Sequence, residues 1–158
     1  MARKRGDIPG VIAPPPLLFA GMLLLGLAIQ HVVPAARTGL PRRSRVALGG
    51  GLLFAAAALS AAALGRFRRA GTPVEPWHPS TTLVTSGVYR LTRNPLYVAM
   101  SLIYTGLALF ADSAVALFLL PPVLTVVRYG VIGREERYLE AKFGAAYRAY
   151  LATVRRWI

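Results

Sequence analysis

Residues 96–132 read LYVAMSLIYTGLALFADSAVALFLLPPVLTVVRYGVI, two apolar runs separated by a three-residue ADS turn. Runs that stay apolar at this length, without alternation or a heptad pattern, are typical of membrane-spanning helices. Asp112 marks the turn, because a charge at mid-membrane would be costly. This stretch therefore predicts a membrane hairpin with spans at 96–110 and 114–132.

Two further apolar runs precede the hairpin, at 16–33 and 46–64, and the second is rich in alanine and glycine. Small residues of this kind suit close helix contacts in lipid. A bilayer core of ~30 Å needs about 20 helical residues, so the span at 96–110 must be short, tilted or begun below the membrane surface. The predicted fold is all-α and integral to the membrane, with about four transmembrane helices in one domain, 1–158.

The composition agrees with a membrane protein and excludes several other classes. Of the 158 residues, 55% are apolar, and the mean hydropathy is +0.50. The net charge of +13 fits arginines beside apolar spans, where anionic headgroups attract them. No basic helix with interleaved aromatic residues suggests nucleic-acid binding. Without cysteine the chain has no disulfide and no thiol chemistry of its own.

The distribution of Lys and Arg predicts the orientation. With four spans, one face of the membrane carries 14 of these residues and the opposite face carries 4. Both termini are therefore expected in the cytoplasm, and the protein is expected in the inner (cell) membrane. The 14 are Arg3, Lys4, Arg5, Arg66, Arg68, Arg69, Arg90, Arg93, Arg134, Arg137, Lys142, Arg148, Arg155 and Arg156; the 4 are Arg37, Arg42, Arg43 and Arg45.

The N-terminus has a second interpretation, as a signal peptide. Arg3, Lys4 and Arg5 form a basic n-region, residues 17–29 an apolar h-region, and residues 33–35 a passable cleavage site. Cleavage would leave an odd number of spans. A retained first helix is the simpler expectation.

A polar cassette lies directly before the hairpin, and two carboxylates follow it. Residues 83–97 read LVTSGVYRLTRNPLY and end a loop of about thirty residues, too long and too apolar for a simple linker. Asn94 and Pro95 suit a helix start, as N-cap and first helical residue. Capping does not account for Arg93 beside them or for Tyr97 one turn later.

The tail after the hairpin predicts one amphipathic helix at the cytoplasmic face. Its apolar stripe contains Glu136 in the middle, with Glu135 at the edge. A carboxylate there needs a cation or a hydrogen-bond donor. Arg93 or Arg134 could serve, and so could the hydroxyl or ammonium groups of a bound cofactor. Both alternatives remain open from the residues alone.

These features together resemble the isoprenylcysteine carboxyl methyltransferases and their phospholipid-methylating relatives. In that superfamily a loop reading His-x-Leu-Val-Thr-x-Gly-x-Tyr leads into Arg-His-Pro-x-Tyr, a hairpin and a helix beginning Glu-Glu. The similarity covers 71–158, and Asn-Pro-x-Tyr is closer to the phospholipid-methylating branch. The matching positions are Thr81, Thr82, Leu83, Val84, Gly87, Tyr89, Arg93, Asn94, Pro95, Tyr97, Glu135, Glu136, Phe143, Gly144 and Tyr147.

The resemblance implies S-adenosyl-L-methionine as methyl donor and a lipophilic small molecule or membrane lipid as acceptor. Arg93 and Glu136 are the expected catalytic residues, with Glu136 taking the acceptor's proton if the acceptor is an amine, thiol or phenol. Family members place a substrate arginine where this chain has Val131, so the flanking Arg128 and Arg134 are the expected substrate contacts. The expected cofactor contacts are Thr81, Thr82, Leu83, Val84, Tyr89, Asn94, Pro95, Leu96, Tyr97 and Glu135.

No metal site and no nucleic-acid partner are expected, since His31 and His78 lack partners at metal-ligand spacing. Two competing functions stay open. Some sterol reductases share this membrane core but bind a nicotinamide cofactor, and a non-catalytic membrane protein could retain the scaffold.

Overall fold

The computed structural model describes residues 8–34 and 36–157 of the chain. Within these ranges all regular structure is helical, which confirms the all-α part of the prediction. A short 3₁₀ turn, Gly87–Arg90, precedes the third helix, and a π-helical segment, Arg128–Ile132, joins the fourth to the fifth. The α-helices are α1 (Pro15–Val32), α2 (Arg42–Ala70), α3 (Pro95–Phe110), α4 (Ala114–Val127), α5 (Gly133–Phe143) and α6 (Ala145–Thr153).

Three helices in the described ranges are long and apolar enough to cross a membrane. These are Pro15–Val32, Arg42–Ala70 and the continuous 30-residue helix Ala114–Phe143. The third predicted span, Pro95–Phe110, is apolar but has only 16 residues, short of the about 20 that a bilayer core needs. A full crossing by this helix therefore remains a prediction. The basic n-region at 3–5 and residue 35 of the proposed cleavage site lie outside the described residues.

The prediction of a single amphipathic helix in the tail was wrong. The π segment carries α4 directly into α5, so the glutamate pair lies on an extension of the last span. The helix then ends at Gly144, whose φ of 53° and ψ of −121° a residue with a side chain rarely adopts. This break separates α5 from α6 and turns the chain back toward the cassette.

Close helix packing in the bundle depends on glycine. A Cβ added at Gly106 would lie 3.0 Å from the carbonyl oxygen of Gly49, and one at Gly49 would lie 3.1 Å from that of Gly106. The backbones of α2 and α3 therefore meet directly at this crossing, as small residues permit in membrane proteins. A Cβ at Gly26 of α1 would lie 2.6 Å from Cα of Ala116 in α4, a second crossing of the same kind.

The buried core lies between α1, α3, α4 and the π segment. The rings of Phe19 and Tyr104 meet edge to face, 6.3 Å between centroids, and the Tyr104 hydroxyl donates to the Ala116 carbonyl at 2.8 Å. The buried members of this core are Phe19, Tyr97, Tyr104, Val123, Val127, Val131 and Ile132. The 16 residues of α3 place its two ends about 24 Å apart.

The ADS turn lies at the far end of α3, as predicted. Asp112 adopts a positive φ of 56°, and its carboxylate accepts hydrogen bonds from the hydroxyl of Thr38 at 2.6 Å and from its backbone amide at 3.2 Å. Arg45 lies 3.6 Å away. Asp112 therefore ties the loop between α1 and α2 to the loop between α3 and α4.

Candidate active site

A cavity of about 400 Å³ lies at the end of the bundle where α3 begins. This volume falls within the ~300–1,000 Å³ usual for small-molecule sites. It is enclosed by Pro9 and the start of α1, the last turns of α2, the loop at 72–86, the segment at 89–94, the start of α3, and helices α5 and α6. The polar or aromatic side chains that line it are Ser60, Phe67, Glu75, Trp77, Ser80, Thr82, Tyr89, Arg93, Asn94, Tyr97, Glu135, Glu136, Tyr138, Tyr147 and Tyr150.

The carboxylate of Glu135 faces this cavity. Its Oε1 accepts a 2.7 Å hydrogen bond from the hydroxyl of Tyr97. Among residues 8–34 and 36–157, no arginine or lysine forms an ion pair with it. Within the described residues Glu135 is therefore held at the cavity wall by the Tyr97 hydroxyl and not by an ion pair.

Its neighbour, Glu136, is fully engaged by two arginines. Oε1 accepts from Nη2 of Arg93 at 3.0 Å and from Nε of Arg156 at 3.0 Å, and Oε2 accepts from Nη2 of Arg156 at 2.6 Å. The contact with Arg156 is the bidentate fork typical of strong arginine–carboxylate pairs. Both oxygens of Glu136 are therefore held by guanidinium groups, and the base role expected for this residue stays a prediction.

One nitrogen of the Arg93 guanidinium group has no hydrogen-bond partner among the described residues. Its Nη2 contacts Glu136, and its Nη1 contacts the carbonyl of Leu151 at 3.4 Å. Its Nε is buried and has no hydrogen-bond partner among the described residues. A buried donor without a partner costs free energy unless a ligand supplies an acceptor.

The Asn94–Pro95 dipeptide begins α3, as predicted, but the asparagine side chain does not cap the helix. Its Nδ2 donates to the carbonyl of Arg156 at 2.8 Å, and its backbone amide donates to the hydroxyl of Thr92 at 3.1 Å. Pro95 occupies the first helical position. The Asn94 amide nitrogen is therefore bound to the C-terminal segment, although the residue lines the cavity.

The loop at 72–86 is ordered by side-chain contacts with the helices around it. The hydroxyl of Tyr138 in α5 accepts from the backbone amide of Ser80 at 3.0 Å. The hydroxyl of Tyr150 in α6 donates to the carbonyl of Tyr89 at 2.6 Å. The ring of Tyr89 also packs edge to face on Phe67 of α2. These contacts turn Leu83 and Val84 toward the cavity as an apolar wall.

The phenols of α6 are neutral donors and not bases. Burial, the largest cause, raises the pKa of Tyr147 well above its usual value and raises the pKa of Tyr150 to about 12. Burial likewise raises the pKa of Tyr89. At neutral pH all three hydroxyls therefore stay protonated.

Most of the predicted site residues come together at the cavity. Thr81 does not line it. Its hydroxyl donates to the carbonyl of Gly71 and its amide to the hydroxyl of Thr72, so it shapes the loop from outside. The predicted residues that do line it are Thr82, Leu83, Val84, Tyr89, Arg93, Asn94, Pro95, Leu96, Tyr97, Glu135 and Glu136.

The two predicted substrate arginines are not at the cavity. Arg128 is exposed in the π segment and lies over the ring of Tyr129, 5.5 Å from its centroid. Arg134 is exposed and donates to the carbonyl of Gly10 at 2.8 Å. Neither side chain lines the cavity, and a substrate contact at these two positions stays a prediction.

Sequence reasoning missed Arg156, which sits among fourteen basic residues counted only for orientation. The one usable signal was Glu136, because a carboxylate in an apolar stripe needs a cation. Arg93 or Arg134 was predicted to supply that cation. The lining from α2, including Ser60, Leu64 and Phe67, was also missed, because nothing in an apolar helix marks which face borders a cavity.

No group of three or more His, Asp or Glu side chains able to hold a metal ion occurs within residues 8–34 and 36–157. His31 lies near the ADS turn. His78 is an exposed loop residue. The chemistry available at the cavity is therefore that of carboxylates, guanidinium groups and phenols.

Comparison with known proteins supports the grouping that the site suggests. An uncharacterized protein from Haemophilus influenzae is 36% identical over 63 residues, which is 40% of this chain and 100% of that protein. No solved structure matches the chain. A family model described as phospholipid methyltransferase matches residues 44–146, from the first turn of α2 into α6. Because this match spans more than half of the chain, the chain belongs to the phospholipid methyltransferase family.

Proposed function

We propose that the protein transfers a methyl group from S-adenosylmethionine to a lipophilic acceptor at the cytoplasmic face of the membrane. Family membership and three helices able to span a bilayer indicate a membrane methyltransferase. The identity of the donor and the nature of the acceptor, a carboxylate or a lipid amine, are the proposed part.

One observation carries the proposal: a carboxyl group and a guanidinium group line the same cavity. Glu135 has no ion-pair partner among the described residues, and Arg93 shares its partner, Glu136, with Arg156. An α-amino acid zwitterion complements both, with its ammonium group at Glu135 and its carboxylate at Arg93. S-adenosylmethionine carries such a zwitterion on its methionyl part.

The rest of the cavity suits an adenosine. Leu83 and Val84 supply an apolar wall, and Tyr89 supplies an aromatic one. Backbone amides and hydroxyls of the loop at 72–86, including Thr82, supply polar contacts beside them. A mostly apolar pocket with a few convergent polar groups is typical of cofactor sites.

A lipophilic acceptor is favoured by the part of the cavity that enters the bundle. Between α2 and α3 its lining is apolar, with Leu64 and Phe67 on one side and Met100 and Ile103 on the other. Ile103 is also 38% exposed on the outer face of the bundle, where lipid would lie. An acyl or prenyl chain fits this route better than a polar metabolite does.

The bound donor supplies a methyl group already activated on a sulfonium centre. The contribution of this chain is therefore positioning and exclusion of water. Arg93 and Glu135 orient the donor, and the aromatic side chains of α6 close the cavity. An amine acceptor must also lose a proton. Because Glu135 binds the donor, Glu136 is the base we propose, and it would have to exchange one of its arginine contacts to accept the proton.

Ligand binding to detergent-purified or nanodisc-embedded protein tests the proposal. We expect S-adenosylhomocysteine to bind near 1:1 in calorimetry and NADPH not to bind. Selective binding of NADPH would favour the reductase alternative. Folded protein that binds neither ligand in several lipid conditions would contradict the proposal and favour a non-catalytic scaffold.

A further inference from the structure

Residues 154–157 follow α6 and lie against the cassette; we name them the C-terminal strap. Its backbone is bound at two points. The amide of Arg93 donates to the carbonyl of Arg155 at 3.0 Å. The carbonyl of Arg156 accepts from the hydroxyl of Thr92 at 3.1 Å and from Nδ2 of Asn94 at 2.8 Å. The strap is thus fixed to residues 92–94 without help from the Arg155 side chain.

The Arg156 side chain acts on the site through Glu136. Its fork occupies both carboxylate oxygens, and Arg93 shares one of them. Two guanidinium groups and one carboxylate leave this cluster with a net positive charge. If Arg156 were neutral, Glu136 would balance Arg93 as a simple pair and be free to rotate toward it. With Arg156 present, Glu136 is shared between two guanidinium groups, so it does not fully balance the charge of Arg93, which lines the cavity.

We propose that Arg156 is a positioning residue of the site. By holding Glu136, it fixes the orientation and the residual charge of Arg93, and so sets affinity for the carboxylate of the donor's methionyl group. This inference rests on the proposed function. It assigns to the end of the chain a role in ligand selection that packing alone does not give it.

Two ligands separate this role from simple stabilisation. S-adenosylhomocysteine carries the amino acid group, whereas 5′-methylthioadenosine has the same nucleoside and thioether without it. The full-length protein in nanodiscs is compared with Arg156→Gln, Arg156→Lys and the matched control Arg155→Gln. Arg155 is exposed, and only its carbonyl takes part in the contacts. Each variant is assayed well below its own melting temperature.

In Arg156→Gln, affinity for S-adenosylhomocysteine should fall about tenfold or more, the effect of a charge-assisted contact. Affinity for 5′-methylthioadenosine should change less than about twofold. Arg156→Lys should show an intermediate loss, because an ammonium group keeps the charge but cannot form the fork. Arg155→Gln should match the wild type with both ligands.

Equal losses for both ligands would overturn the inference, since a merely structural role weakens the whole pocket. Unchanged affinity for S-adenosylhomocysteine would also overturn it. If Arg156→Gln does not fold, the lysine variant decides by the same two ligands. Wild-type protein that binds neither ligand would refute the proposed function itself, an outcome distinct from the other two.

Discussion

The hydroxyl of Tyr97 lies 2.7 Å from Oε1 of Glu135, across a separation of 38 residues in the chain. This bond joins the first turn of α3 to the first turn of α5. It holds the carboxyl group at the cavity through a neutral hydroxyl and not through an ion pair. Glu136, one residue later, is held by arginines instead. Two adjacent glutamates therefore have separate tasks, and substitutions should separate them.

Glu135→Gln and Glu136→Gln should give opposite results. Removing the charge of Glu135 should weaken S-adenosylhomocysteine binding by about 1.5–3 kcal/mol, or roughly 10- to 150-fold. The melting temperature of the ligand-free protein should change little. Glu136→Gln leaves two part-buried arginines without a counter-charge, so it should cost about 1–3 kcal/mol of stability. Calorimetry and thermal unfolding check both effects, and wild-type affinity in Glu135→Gln would remove this residue from the site.

Much of the architecture could be predicted because apolar run length is a physical requirement of the bilayer. The helix boundaries agree closely with the runs at 16–33 and 96–110, and Pro95 begins α3 as its fixed φ favours. The run at 114–132 begins with α4, but its helix continues to Phe143. The second span was predicted too short. Its helix extends through Arg66 to Ala70, whereas the prediction was drawn from the apolar run alone and stopped before the arginines.

The cassette could be associated with the glutamates only through the family resemblance, since the contact is made across a hairpin. Two facts were beyond pattern reasoning. Only the backbone shows that the break at Gly144 turns α6 back over the cavity. The pairing of Arg156 with Glu136 depends on that turn. The sequence alone does not distinguish Arg156 from the other arginines as the partner of Glu136.

Tyr97→Phe removes one donor to Glu135 and little volume. We expect S-adenosylhomocysteine affinity to fall about three- to tenfold, because the carboxylate loses its fixed orientation, a loss of about 1 kcal/mol. Tyr104→Phe is the matched control, since its hydroxyl bonds to the carbonyl of Ala116 in the core. That variant should lose stability and keep affinity. Equal affinity losses in the two variants would contradict a specific role for Tyr97.

The crossing of α2 and α3 predicts a sharp contrast among neighbouring glycines. Gly106→Val should destabilise the protein by about 1–3 kcal/mol, because even a Cβ there meets the Gly49 carbonyl at 3.0 Å. At Gly50 no atom lies within 4 Å of an added Cβ. Gly50→Ala should therefore be neutral or slightly stabilising through helix propensity. Thermal unfolding in one detergent compares the variants, and equal stability would refute backbone contact at this crossing.

The charge asymmetry predicts that both termini face the cytoplasm. The predicted cytoplasmic face carries 14 Lys and Arg against 4 on the other. A phosphatase fused after Ile158 should be inactive, and a fluorescent protein that matures only in the cytoplasm should fluoresce. A fusion in the loop between α1 and α2, near Thr38, provides the opposite control. Phosphatase activity at the C-terminus would contradict this topology and support cleavage of the first span.

The contacts of Asp112 with Thr38 and Arg45 at the ADS turn predict that the stability of the folded protein depends on pH. This dependence should not involve ligand binding. The hydrogen bond from the Thr38 hydroxyl, aided by Arg45 and Arg37, holds the pKa of Asp112 below its usual value. A group with a lowered pKa in the folded state stabilises the fold above its unfolded pKa of ~3.9, and this contribution is lost as pH falls through the folded pKa. Asp112→Asn should therefore lower the melting temperature at neutral pH, and the difference from wild type should shrink below about pH 4. Because Asp112 lies at the far end of α3 from the cavity, S-adenosylhomocysteine affinity should be unchanged. A melting difference that stays constant across this pH range would show that the charge of Asp112 does not stabilise the turn.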